Sequence, residues 1–139
     1  MLAAGEAAGA RDAYDRAIAL GEHLVEENPK APSYRVNLAG SLRRRGLAVR
    51  GLGDVRRALA ILDGLKTRAP AAWFETACCH ATLGDAPRAV ELLRRAAGLG
   101  YRNPYAYRAE TALDPLRDHD DFRLMMMDLV FPAEAFAAR

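Results

Sequence analysis

Residues 42–58 read LRRRGLAVRGLGDVRRA, with arginine at Arg43, Arg44, Arg45, Arg50, Arg56 and Arg57. Such a stretch is either a basic surface for nucleic acid or part of a helix pair whose arginines face water. Three adjacent helical residues fan across about 200°, so Arg43, Arg44 and Arg45 cannot form one patch. Leu38, Leu42, Val49 and Leu52 recur at helical spacing and give residues 32–52 an apolar stripe. Arg56 and Arg57 fall on the next helix, beyond Gly53-Asp54. No aromatic residue is interleaved to stack on bases. The stretch therefore reads as two helices with solvated arginines, whose aliphatic stems cover nearby apolar surface.

The rest of the chain agrees with helix throughout. Its 139 residues are 51% hydrophobic, and much of that is alanine and leucine, which favour helices. Strand formers never gather into an alternating run. The 20 basic and 18 acidic residues leave a net charge of +2, too near balance to favour nucleic acid or anionic lipid as a partner. The cations are nearly all arginine, lysine occurring only at Lys30 and Lys66. Adjacent Cys78 and Cys79 point about 100° apart on a helix, suit no strain-free bridge and suggest a reducing compartment. No apolar run reaches the roughly 18 residues of a membrane span. The N-terminus lacks a basic segment followed by an apolar one. A cytoplasmic protein with no membrane association is expected.

Three segments overlay: YDRAIALGEHLVEENP (14–29), VRRALAILDGLKTRAP (55–70) and APRAVELLRRAAGLGY (86–101). Small residues coincide at Ala17, Ala58 and Ala89. Apolar ones follow at Ile18, Leu59 and Val90, then at Leu20, Ile61 and Leu92, and then at Leu24, Leu65 and Ala96. These offsets describe one buried helical stripe. Gly53-Asp54 and Gly84-Asp85 precede the second and third copies; glycine would end one helix in a left-handed turn and aspartate would cap the next. Before each pair lies a further helix, 32–52 and 71–83.

This pattern resembles the tetratricopeptide repeat, a helix pair with an aromatic and a small residue in its first helix, a small residue opening the second, and a closing proline. Trp73, Ala77, Gly84-Asp85, Ala89, Leu93 and Ala96 carry the resemblance in one unit. Leu38, Ala39, Leu42, Gly53, Asp54, Ala58, Leu62, Leu65 and Pro70 carry it in another. Tyr14, Ala17, Ile18, Leu24 and Pro29 supply a half unit. The spacing departs from the usual period of about 34 residues: Ala17 to Ala58 is 41 positions and Ala58 to Ala89 is 31. Ala39 to Gly53 is 14 positions against 7 from Ala77 to Gly84, which places seven extra residues inside the first helix of the middle unit. Seven residues are nearly two turns, about 10 Å of added length with the buried face turned by only about 20°.

After residue 101 the pattern fades. Asn103-Pro104 opens a short helix through Thr111, Asp114-Pro115 restarts the chain, and Phe122, Met125, Met126, Leu129 and Val130 share one side of a last helix suited to cap a repeat array. The segments TACCHATLGDAPRAVELLRRAAGLGYRNP and LDPLRDHDDFRLMMMDL also resemble the end of repeat regions found behind planctomycete-type bacterial serine/threonine kinase domains. The chain itself carries no Gly-rich phosphate loop, HRD or DFG, so kinase activity is not implied.

Candidate chemistry is sparse. His23, His80 and His119 are far apart, DHDD at 118–121 reads as helix-end aspartates rather than metal ligands, and no nucleophile has a base partner at recognisable spacing. The expectation is an all-α, non-catalytic, single-domain short α-solenoid (10–29 half repeat, 32–70 extended repeat, 71–101 repeat, 102–139 cap) without cofactor. Its ligand would be a protein or peptide lying in a concave groove formed by Ser33, Val36, Asn37, Gly40, Arg43 and Arg44 together with Phe74, Cys78, Ala81 and Thr82. A nucleic-acid binder using Arg43–Arg57 is the alternative.

Overall fold

The structure, a computed structural model, describes residues 4–131. Among these there are helices and no strands: α1 Ala4–Glu27, α2 Pro32–Val49, α3 Leu52–Asp63, α4 Pro70–Thr82, α5 Ala86–Gly98, α6 Pro104–Ala109, a 3-10 helix Thr111–Leu116, and α7 Asp120–Val130. The chain forms two compact units that divide between Arg68 and Ala69. In the first, α2 packs against both α1 and α3; in the second, α4 packs against α5 and the 3-10 helix, and α7 packs against α5 and α6. Within the first unit short connections make α1, α2 and α3 successively antiparallel, and within the second they do so for α4 and α5.

Helix α1 meets α2 through Ile18, which is buried, and Gly21, where an added Cβ would lie 3.2 Å from Leu38 Cδ1. Ala17 and Leu20 face water. The alignment of Ala17 with Ala58 and Ala89 is therefore one turn out. The small residue at the contact is Gly21, and Ile18, Gly21 and Val25 stand in the same relation as Val55, Ala58 and Leu62 of α3. Alanine is abundant enough here to match by letter without matching by face.

The α2–α3 turn also differs from its expected position. Helix α2 continues unbroken through Gly46 but ends at Val49; the left-handed residue is Arg50 (φ 55°), and Gly51 donates to the Gly46 carbonyl at 2.8 Å. Gly53 and Asp54 lie inside the first turn of α3. At Gly84-Asp85 the expectation holds: Gly84 is left-handed (φ 89°), Asp85 donates its N–H to the His80 carbonyl at 2.9 Å, and its carboxylate accepts from Arg88 N–H at 3.2 Å. Ala39 and Ala77 are both fully buried, and from them to the left-handed residue run 11 positions in one hairpin (to Arg50) and 7 in the other (to Gly84). The remaining extra residues fall at the start of α3, before Ala58. The insertion thus adds about one turn on each side of the bend, between it and the small residues Ala39 and Ala58, where two turns in α2 alone were expected. Val49 and Leu52, placed on the apolar stripe by spacing, end up exposed beside the turn. The buried face of α2 is Leu38, Ala39, Gly40, Leu42, Arg43 and Gly46.

Gly46 explains the shifted turn. A Cβ there would stand 2.7 Å from Val55 Cγ2 and 2.9 Å from the Gly51 carbonyl oxygen. The two helices touch at this glycine, so the chain must reverse close beyond it, at a residue that is not glycine.

Arg45 locks the lengthened hairpin. Its Nε and Nη2 donate to the two carboxylate oxygens of Asp54 on α3, at 2.6 and 2.7 Å, and its Nη1 donates to Asp15 on α1 at 2.9 Å. One guanidinium therefore joins all three helices. Hydrogen bonding from Arg45 holds the Asp54 carboxyl below its usual range, and the charges of Arg45, Arg57 and Arg11 act in the same direction.

In the second unit, Gly100 (φ 114°) ends α5 as Gly84 ends α4, and Asn103 caps α6 by accepting from Tyr105 N–H. Tyr107 is fully buried and donates to the Tyr101 carbonyl; burial pushes its hydroxyl pKa up. Arg117 closes the C-terminus of α6: its Nη2 donates to the carbonyls of Arg108 at 2.9 Å and Glu110 at 3.0 Å, while Asp114 receives its Nε at 2.9 Å. On α7, Phe122, Met125 and Leu129 are buried and Met126 and Val130 half-buried, the side read from their spacing.

Three outcomes follow, each measurable by urea denaturation followed through far-UV circular dichroism. Gly46→Ala destabilises the chain by about 1–3 kcal/mol, because a backbone carbonyl cannot yield and the clash outweighs alanine's helix preference of about 1 kcal/mol. Arg50→Gly stabilises it by about 1 kcal/mol by relieving the left-handed conformation. Asp54→Asn costs about 1–3 kcal/mol at neutral pH. Because the folded-state pKa of Asp54 is depressed, the pair's contribution is complete above its unfolded value of about 4 and is lost as pH falls through the folded value. The gap between wild type and Asp54→Asn therefore narrows on acidification; a gap that is constant with pH contradicts the assignment.

Candidate functional site

The ten residues expected to line a groove differ in exposure within each unit. Ser33, Asn37 and Arg44 are exposed, Val36 and Thr82 half-buried, and Gly40, Arg43, Phe74, Cys78 and Ala81 buried. Phe74 packs its ring 4.7 Å from that of Tyr101 and 5.1 Å, edge-on, from that of Tyr107. Thr82 donates to the Cys78 carbonyl at 2.9 Å. Helix spacing identifies faces but not how many neighbours a helix has. Since α4 is covered by the 3-10 helix as well as by α5, the face reserved for a ligand holds part of the core.

The arginines of 42–58 separate as the 200° fan requires, but not all into water. Arg43 is fully buried, Arg44 exposed, and Arg45 engaged between Asp15 and Asp54. Arg57 lies 3.7 Å from Glu22. No continuous basic surface results from these four.

A concave feature of the first unit lies at the other end of its hairpin. Where α1 and α3 end and α2 begins, a groove of ≈ 990 Å³ opens, walled by Val25, Pro29, Pro32, Leu38, Ala60, Ile61 and Leu65. Lys30, Arg35 and Lys66 also line it, and no acidic residue does. These three cations make no ion pair or hydrogen bond among the described residues. The neighbouring acids are engaged elsewhere: Glu27 lies 3.2 Å from His23, and Asp63 3.2 Å from Arg68. None of the ten expected residues lines this groove. One signal for it was present in the sequence. The chain's two lysines both lie in a loop just ahead of a helix that opens on proline, Pro32 and Pro70.

A second groove, ≈ 430 Å³, lies beside α7 and is lined by Arg108, Arg117, Phe122, Arg123, Met126, Met127, Val130 and Phe131. Two of its cations are occupied within the unit. Arg117 closes α6, and Arg123 donates to the Arg117 carbonyl at 3.2 Å and to Asp118 at 3.4 Å.

Other candidate chemistry disperses. His119 takes the N-cap position of α7 without a side-chain hydrogen bond, and Asp120 and Asp121 occupy the first turn, where their charge favours the helix dipole. Among the described residues no three metal-ligating side chains converge, and no helix is long and apolar enough to cross a membrane. A scan against protein-family models matched none, and searches of curated proteins and of solved structures gave no significant match.

Proposed function

We propose that the chain is a non-catalytic protein-interaction module of tetratricopeptide-like helix pairs that holds a peptide segment of a partner. The observation that carries this reading is the groove of the first unit, ≈ 990 Å³ with a wall of aliphatic side chains and proline. That is the size range in which small ligands and peptide side chains are held. Paired helices that stack through small residues such as Gly21, Ala39 and Ala58 leave such openings at hairpin ends, where the helices stop and side chains splay. Within this reading the chain acts as a regulatory tail of the kind that follows bacterial serine/threonine kinase domains, receiving a substrate or regulator rather than reacting with it. The consumption of Arg45 and Arg57 in ion pairs counts against the alternative of a nucleic-acid surface at 43–57.

The test is selection of a random displayed peptide library on the full chain. Enriched peptides are expected, and their affinity, read by fluorescence anisotropy, falls about tenfold, some 1.4 kcal/mol, in Leu65→Ser while circular dichroism remains that of the wild type. A library that yields no enriched sequence overturns the proposal.

A further inference from the structure

The charge of the groove names the chemistry of its occupant. Lys30 lies three positions beyond the last residue of α1, Glu27, and Lys66 three beyond that of α3, Asp63; Arg35 stands in the first turn of α2. A conventional role would be to offset the two helix C-termini that meet here. The magnitudes do not balance. Each helix end carries about half a charge, so two C-termini supply about −1. The N-terminus of α2 returns about +0.5, and it is open: Ala31 gives no side-chain cap and the first turn holds no acid. Three full positive charges remain largely uncompensated, on a wall that is otherwise aliphatic.

Eight of the chain's other cations are engaged within the fold. Arg45, Arg57, Arg68, Arg88, Arg94, Arg102, Arg117 and Arg123 each lie within salt-bridge distance of a carboxylate. Among the described residues Lys30, Arg35 and Lys66 do not, and neither do exposed arginines such as Arg50 and Arg56; what sets the three apart is that they line one groove that holds no acid, although Glu27 and Asp63 are close in sequence. The acids around the groove point to partners outside it and leave the cations available at its edge.

We propose that the occupant of the groove is an acidic segment of a partner protein, its aliphatic side chains against Ile61 and Leu65 and its carboxylates against Lys30, Arg35 and Lys66. This inference rests on the interaction-module reading above. Apolar contact would supply most of the affinity and the cations the selectivity and the rate of encounter, so the complex would weaken with salt.

The peptides enriched by the display selection on the full chain provide the probe. They are expected to combine aspartate or glutamate with leucine or isoleucine. Binding of a synthetic copy falls about tenfold or more in Lys30→Glu and in Lys66→Glu, and severalfold when ionic strength rises from about 0.05 to 0.3 M. Arg56→Glu, exposed on α3 outside the groove, leaves it unchanged. Enriched peptides that are neutral or basic overturn the acidic occupant and leave the module reading standing. So does binding that is lost in Leu65→Ser but kept in both lysine variants. A selection without any enriched peptide overturns both.

Discussion

The fork of hydrogen bonds from Arg45 to Asp54, with its third arm on Asp15, fixes where three helices stand relative to one another. Around it the α2–α3 hairpin runs about a turn farther past its small residues Ala39 and Ala58 on each side than the α4–α5 hairpin runs past Ala77 and Ala89. A longer hairpin is a longer lever, and small-residue contacts alone control its tip weakly. Gly46 brings α2 against Val55, and the guanidinium beside it prevents sliding along that contact. The two features are adjacent in sequence because they act at the same level of the bundle. They also account for the left-handed Arg50, a local cost accepted because the hairpin has to close just beyond Gly46.

Much of the helical organisation was legible in the sequence. Periodicity located the helices, though α1 begins at Ala4, ahead of the expected half repeat 10–29, and α3 ends at Asp63; Gly84-Asp85, Asn103-Pro104 and the buried side of α7 behave as their chemistry requires. The errors share one origin. Gly53-Asp54 resembles Gly84-Asp85 as text, but Asp54 is drawn to Arg45 and not to a helix end. Ala17 resembles Ala58 as text, but stands one turn short of the contact, which falls at Gly21. Phe74 was assigned to a ligand and instead packs with Tyr101 and Tyr107, because nothing local to α4 reveals that a later segment will cover it. Pairing across distance, not propensity, decided each case. The candidate groove was less legible still. It depends on three loop or helix-end cations that gain meaning only when α1, α2 and α3 bring them to one edge.

The two grooves show how the same composition can have different consequences. Both set cations against apolar side chains. Beside α7, Arg117 is held by α6 carbonyls and by Asp114, so it serves the fold. At the α1–α3 end, Lys30 and Lys66 reach no carbonyl or carboxylate among the described residues. Arginine is well suited to collecting several acceptors at once, whereas lysine, with its compact and strongly hydrated charge, remains available.

The lone tryptophan has an optical consequence. Trp73 is half-buried in the second unit, with the Arg95 guanidinium carbon 4.1 Å from its ring centre. Its emission therefore senses the α4–α5 hairpin directly, under a nearby positive charge. Tyr14 and Tyr34 are the aromatic reporters of the first unit. Indole fluorescence thus follows the second unit alone, whereas tyrosine absorbance, with Tyr101, Tyr105 and Tyr107 in the second unit, reports on both.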